Sequence, residues 1–246
     1  MSTLFTATLQ LARSIGDCFS GTATGGSSTT LDDTGCTSPN DYFNNGTIWF
    51  KTGNNADKSA IITDWDGLAN YRFTFATPGA SCTVADTYMV CTASYNRGLL
   101  REAINLALMD MGKIITTDTT LTGVSDQREY DLPSGVYDIR RVEVEDYPNH
   151  FWQVKSGHLV FDEGQTPSAG DSITLYYMAE HAQVTADSSV INTLIPMDML
   201  VASASEKAYD LRWRNTKTDD KMIAALIERA RQQALTLKWQ NRDIFS

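Results

Sequence analysis

The chain has 246 residues, 42% of them hydrophobic, and a formal net charge of −10 at pH 7, which suits one large domain or two small ones with a substantial core. No apolar run approaches the length a bilayer span needs, so no membrane role is expected. The charge is divided: nine Lys/Arg face seven Asp/Glu over 196–246, a net of about +2, which leaves about −12 on the first 195 residues. That acidic body argues against nucleic-acid binding driven by counterion release.

The N-terminal stretch MSTLFTATLQLARSIGD lacks a basic start and carries Gln and Arg in its apolar part, so it does not read as a secretory signal. Leu4, Leu11, Ala12 and Ile15 instead mark one face of a helix over 3–17. SGTATGGSSTTLDDTG (20–35) follows, with Gly21, four residues, then Gly26, Ser27 and Ser28. This is the skeleton of a phosphate-binding loop with serine in the lysine position. A helix precedes it instead of a strand, and TTLDD after it favours strand or turn, so it reads as the entry to a β-region.

Residues 20–93 carry strand periods. Ile48 to Phe50, Ala60 to Ile62 and Tyr88 to Val90 are compact apolar runs, and Tyr71, Phe73 and Phe75 alternate with polar residues. Asn45-Gly46, Gly53-Asn54, Asp66-Gly67 and Pro78-Gly79 separate them as turns. Asp64 to Gly67 resembles the start of a calcium loop but lacks its third ligand and its glutamate, and so reads as a strand ending in a turn. Cys18, Cys36, Cys82 and Cys91 show no metal or scaffold spacing; four thiols are expected, with a Cys82–Cys91 hairpin bond as the alternative.

Leu99, Leu100, Ala103, Ile104, Ala107, Leu108 and Met111 predict a helix from about Asn96 to Ile115. A second β-region spans about 120–180, where RVEVED (141–146) alternates strictly. Glu143 and Glu145 share a strand face there and read as an ordinary solvated face. His150, His158 and His181 have no helical pairing and read as surface polar residues. Met197, Leu200, Val201, Ala204, Ala208 and Leu211 predict a third helix entered through Pro196. Met222, Ile223, Leu226, Ile227, Ala230, Ala234 and Leu237 predict a fourth, capped by Thr218. Trp213, Trp239 and Phe245 accompany a basic set that includes Arg212, Arg214, Arg229 and Arg231, which suits an acidic protein partner better than nucleic acid.

The order helix, β-insert, helix, β-insert, helix, helix predicts an α+β fold. Its core is a four-helix bundle made from 1–19, 94–119 and 182–246, with two antiparallel β inserts, 20–93 and 120–181, as small barrels or sandwiches. No catalytic residue, cofactor-binding residue or metal ligand is assigned, and the chain does not read as an enzyme.

SGTATGGSSTTLDDTG (20–35), NDYFNNGTIWF (40–50), KTGNNADKSAIITDWDG (51–67) and YRFTFA (71–76) resemble an insert of tailed-bacteriophage neck proteins. YDLPSGVYDIRRVEVE (130–145), SGHLVFDEGQTPSAGDSITLYYMAEH (156–181) and IPMDMLVASASEKAYDL (195–211) resemble the head–tail adaptor, or connector, proteins that attach beneath the portal. The resemblance rests on pattern and element order over most of 1–240. It implies a structural virion protein at the neck, assembled in the host cytoplasm as a twelve-subunit ring. Its partners would be the portal protein, tail or nozzle proteins and other copies of itself, with DNA passing through the ring unbound. The segment 237–246 would dock on the portal through Leu237, Lys238, Trp239, Arg242, Ile244 and Phe245, although Trp239 closing the bundle is an equal reading. Asp118, Asp126, Glu129 and Asp131 would face the channel and repel phosphate. A different class is a virion-associated module whose 20–93 insert binds host-surface carbohydrate through Tyr42, Phe43, Trp49 and Trp65.

Overall fold

Residues 2–216 and 221–241 are described by a computed structural model. Chain contacts divide them into two units. The first runs to Asp110 and resumes over Gln183–Asn241, and the second spans Met111–Ala182.

The first unit opens with helix α1, Leu4–Ile15. Thr3 caps its N-terminus by accepting from Thr6 N, and Gly16 ends it in the left-handed region (φ 82°), where glycine carries no Cβ penalty. Seven strands follow: β1 Cys18–Thr22, β2 Gly25–Gly26, β3 Thr30–Asp32, β4 Thr47–Phe50, β5 Lys58–Asp66, β6 Arg72–Phe75 and β7 Thr87–Cys91. They form one antiparallel sheet in the order β1-β7-β4-β5-β6-β3-β2. Strand β5 serves both halves, pairing first with β4 and then with β6, with a register shift between Ile62 and Asp64.

One face of this sheet closes on an aromatic cluster of Phe43, Phe50, Trp65, Phe73, Phe75 and Tyr88. The Trp65 and Phe73 rings lie 4.1 Å apart. On the other face Trp49 is buried, and its Nε1 donates to Thr8 Oγ1 of α1 at 3.1 Å. All four residues of β4 are therefore buried, because this strand is covered on both sides.

A 3-10 turn, Ala93–Tyr95, leads to α2, Arg97–Met111, where Asn96 Oδ1 accepts from Leu99 N. After the second unit, Asn105 holds the returning chain by bonding both ways to the Val184 backbone. Asp187 accepts from Ser59 N and Oγ, while its carbonyl accepts from Phe5 N. Helices α3, Met197–Thr216, and α4, Lys221–Gln240, complete the unit.

The second unit has seven strands: β8 Lys113–Thr122, β9 Glu129–Asp131, β10 Ile139–Val144, β11 Tyr147–Asn149, β12 Trp152–Lys155, β13 His158–Phe161 and β14 Ser172–Glu180. They form a four-stranded sheet, β11-β10-β14-β8, and a three-stranded sheet, β12-β13-β9. Both contribute to one apolar core, Val142, Ile173 and Leu175 from the first and Tyr130, Leu159 and Phe161 from the second.

The described residues thus form three antiparallel sheets of fourteen strands with four helices, and the expected four-helix bundle core is overturned. The helical stripes are real, but the helices do not pack only on one another: Trp49 of β4 bonds Thr8 of α1, and Thr47 Oγ1 of β4 accepts from Arg97 N at the start of α2. Repeated helix–helix packing joins α1 to α3 and α3 to α4. Periodicity reports that a face is buried without reporting what buries it. The expected helix to Ile115 also stops short, at Met111. Gly112 turns left-handed (φ 77°), and the β-branched run Ile114 to Thr117 continues as β8.

Candidate functional site

The glycine-rich stretch is structural. Gly21 stands opposite Tyr88 in the β1–β7 ladder. Tyr88 Oη donates to Asp33 Oδ2 at 2.6 Å, and Asp33 Oδ1 accepts from Gly35 N at 2.8 Å. A Cβ at Gly21 would overlap Asp33 Oδ2 and lie 2.6 Å from Tyr88 Oη, so glycine serves close packing here. In the Asp64–Gly67 stretch, Asp66 Oδ1 accepts from Leu68 N and Ala69 N, and Oδ2 accepts from Asn70 Nδ2. Those bonds, Ala69 N first, hold the carboxyl below its ordinary pKa and occupy both oxygens that would face an ion.

The Glu143–Glu145 strand face departs from expectation at Glu143. Glu143 is only 7% exposed, bonded by Tyr176 Oη at 2.7 Å and paired with Arg141. Glu145 accepts from Ser172 N at 2.6 Å. Tyr176 and Arg141 cover Glu143, whereas Glu145 stays exposed as expected.

A concavity that gathers charged and aromatic side chains lies within the first unit. It is a cleft of about 620 Å³ between the end of α1, the 41–44 turn, the 3-10 turn and the α3–α4 pair. Asp17 Oδ2 accepts from Thr92 Oγ1 at 2.6 Å, and Asp41 Oδ1 accepts from Asn44 Nδ2 at 2.7 Å. Arg212 stacks over the Tyr95 ring, 4.8 Å from its centroid, and Tyr95 meets Tyr209 edge-on. Burial pushes the Tyr95 hydroxyl above its ordinary pKa, and Arg212 pulls it the other way. Two carboxylates, one guanidinium and several aromatic faces supply recognition chemistry. Sequence reasoning missed this cleft because its walls come from five separated segments.

The C-terminal candidates divide. Leu237 is half-buried, Lys238 Nζ donates to Asp110 O at 3.3 Å, and Trp239 is 74% exposed. Leu235, one turn before Trp239 on the same helical side, is exposed as well. Arg242, Ile244 and Phe245 lie outside the described residues, as does Thr218. Two basic side chains of the α3–α4 pair have acidic partners within it: Arg214 binds Asp210, and Arg231 binds Glu206 and Glu228. That leaves fewer cations there for phosphate contacts.

Of the acidic candidates, Glu129 and Asp131 come together on the exposed side of β9, flanking buried Tyr130. His158 Nδ1 lies 2.8 Å from Asp131 Oδ1 and 3.8 Å from Glu129 Oε1, without the alignment of a hydrogen bond. Asp126 is exposed in the preceding turn. Asp118 sits on β8 in the other sheet, accepting from Thr120 N and Oγ1. Residues 111–182 hold five Lys/Arg against twelve Asp/Glu, a net of −7. The aromatics that suggested carbohydrate binding are mostly core: Phe43, Trp49 and Trp65 are buried, and Tyr42 alone is well exposed, at 52%.

No helix among the described residues is long and apolar enough to cross a membrane. Neither the protein-family models nor the curated proteins compared with this chain give a match.

Proposed function

We propose that this chain is a structural adaptor of the tailed-phage neck, forming a ring between portal and tail that extends the DNA channel and supports tail attachment. One observation carries the reading beyond the sequence resemblance. Helix α4 buries Ile223, Ile227 and Ala230 while presenting Leu235 and Trp239 at its C-terminal end. Tryptophan is among the residue types most enriched at interface anchors, and here it stands exposed at the end of the helix. On this reading the segment from Leu237 docks on the portal, and the acidic surface of the second unit lines the path of the DNA.

Removal of 237–246 tests the reading. The truncated protein is expected to keep its circular dichroism spectrum and to lose assembly on purified portal, read by electron microscopy as the loss of the added ring. Undiminished ring formation by the truncated protein would remove the segment as the anchor. Failure of the full-length chain to join the portal at all would remove the adaptor reading itself.

A further inference from the structure

Two cysteines far apart in sequence stand directly opposite each other in the first sheet, Cys18 on β1 and Cys91 on β7. The backbone pattern fixes what kind of pair they make. Lys51 N donates to Thr87 O at 2.8 Å, so the odd residues of β7 bond toward β4. Ala23 N donates to Asp86 O at 2.8 Å, so the even residues bond toward β1. Cys18 and Cys91 therefore form a non-hydrogen-bonded antiparallel pair, the arrangement in which Cα atoms approach to about 4.5 Å with side chains on the same face. A disulfide accepts Cα separations of about 4.4–6.8 Å, a range that includes the spacing of such a pair. Cys82, the alternative partner, lies in the aromatic cluster on the other face, where Asn55 Nδ2 contacts its sulfur.

Access is unequal. Cys18 is partly exposed, whereas Cys91 is buried and its thiol donates to Tyr95 O at 3.0 Å. The two strands lead directly into the cleft: Asp17 precedes Cys18, Thr92 follows Cys91, and these two neighbours are hydrogen-bonded.

We propose that Cys18 and Cys91 are an oxidisable cross-strand dithiol whose disulfide fixes the Asp17–Thr92 wall of the cleft. With a small-molecule disulfide such as oxidised glutathione, the Cys18 thiolate attacks one sulfur and releases one glutathione thiolate. The Cys91 thiolate then attacks the Cys18 sulfur and releases the second. The two protein thiols lose two electrons to the external disulfide, and their protons end on the two glutathione thiols. Burial pushes both protein thiols up, Cys91 to about 12, so exchange quickens as pH rises.

The test treats the folded full-length protein with excess oxidised glutathione at about pH 8.5 and maps peptides by mass spectrometry. The expected product is a Cys18–Cys91 link lighter by two hydrogens, with Tm raised by about 5–10 °C and restored by dithiothreitol. Amide exchange at 17 and 92–95 is expected to slow. Cys18→Ser abolishes the link and Cys82→Ser leaves it intact. Any of four results would overturn the proposal: a link through Cys36 or Cys82, glutathione retained on Cys18, bridging only after denaturation, or unchanged exchange beside the cleft in the linked protein.

Discussion

Gly21 shows how a single residue can mislead a reading of local sequence. Its neighbours Gly26, Ser27 and Ser28 complete a loop skeleton, yet what demands glycine is the Tyr88–Asp33 hydrogen bond crossing its Cα. Tyr88 is the directly paired neighbour on β7, adjacent in the sheet but remote in sequence and so invisible to any short window. Gly21→Ala is expected to cost about 1–3 kcal/mol by overpacking, measured as a lowered urea midpoint at unchanged slope. An alanine variant of wild-type stability would show that the ladder gives way freely there. The same hydrogen bond bears on pH. Burial, followed by the bond to Asp33, pushes the Tyr88 hydroxyl well above its ordinary pKa, and burial raises the Cys91 thiol to about 12. Groups whose folded pKa is raised stabilise the native state fully below their unfolded values, and that stability is lost as pH rises beyond them. The urea midpoint should therefore fall from about pH 9 upward, each fully mismatched group contributing about 1.4 kcal/mol per pH unit. The fall should be shallower in Tyr88→Phe, and a flat midpoint to about pH 10.5 would refute the assignment.

At the scale of elements, periodicity was reliable where one stripe meets one partner. Ile223, Ile227 and Ala230 of α4 are buried as their spacing implies, while Met222 of the same predicted stripe is 72% exposed, and the Ile48, Ala60, Phe73 and Tyr88 runs are β4 to β7. It fails at α2, where the stripe through Met111 implies helix beyond Gly112 but a β-branched segment follows as β8. It fails again at Glu143, where alternation predicts water and Tyr176 with Arg141 supplies a cover instead. Helix α4 separates folding from docking within a single element. Ile227→Ala should cost about 2–4 kcal/mol by leaving a cavity against α3. Trp239→Ala, at a side chain 74% exposed, should cost less than Ile227→Ala does. On the proposed function it should weaken portal binding about thirty-fold or more, as loss of a central aromatic anchor does. Calorimetric melting and a portal-binding titration of the two variants measure both effects, and a Trp239→Ala protein that melts early but binds normally would reverse the assignment.

At the scale of the whole molecule, the elements were legible but their assembly was not. Four amphipathic helices separated by β-regions suggested a bundle because each stripe needs a partner, and sequence does not say that a sheet supplies it. The largest buried aromatic side chains mark a core in each unit: Trp49, Trp65, Phe43, Phe50, Phe73 and Tyr88 belong to or pack on the first sheet, and Phe161 belongs to the core of the second unit. Charge follows the division into units more simply. The second unit keeps its excess carboxylates at the surface, with Glu129 and Asp131 on one exposed strand face and Asp126 beside them in sequence. If that face lines the DNA path, its role is to deny phosphates a partner, because bound cations would add a salt-dependent drag. Glu129→Lys with Asp131→Lys changes the local charge by four while touching neither apolar core. Virions carrying the double variant should eject DNA more slowly at about 50 mM salt and recover near about 200 mM, as about two added phosphate contacts would dictate. An ejection rate equal to wild type at low salt, from virions with a full complement of the variant protein, would place this acidic face away from the channel.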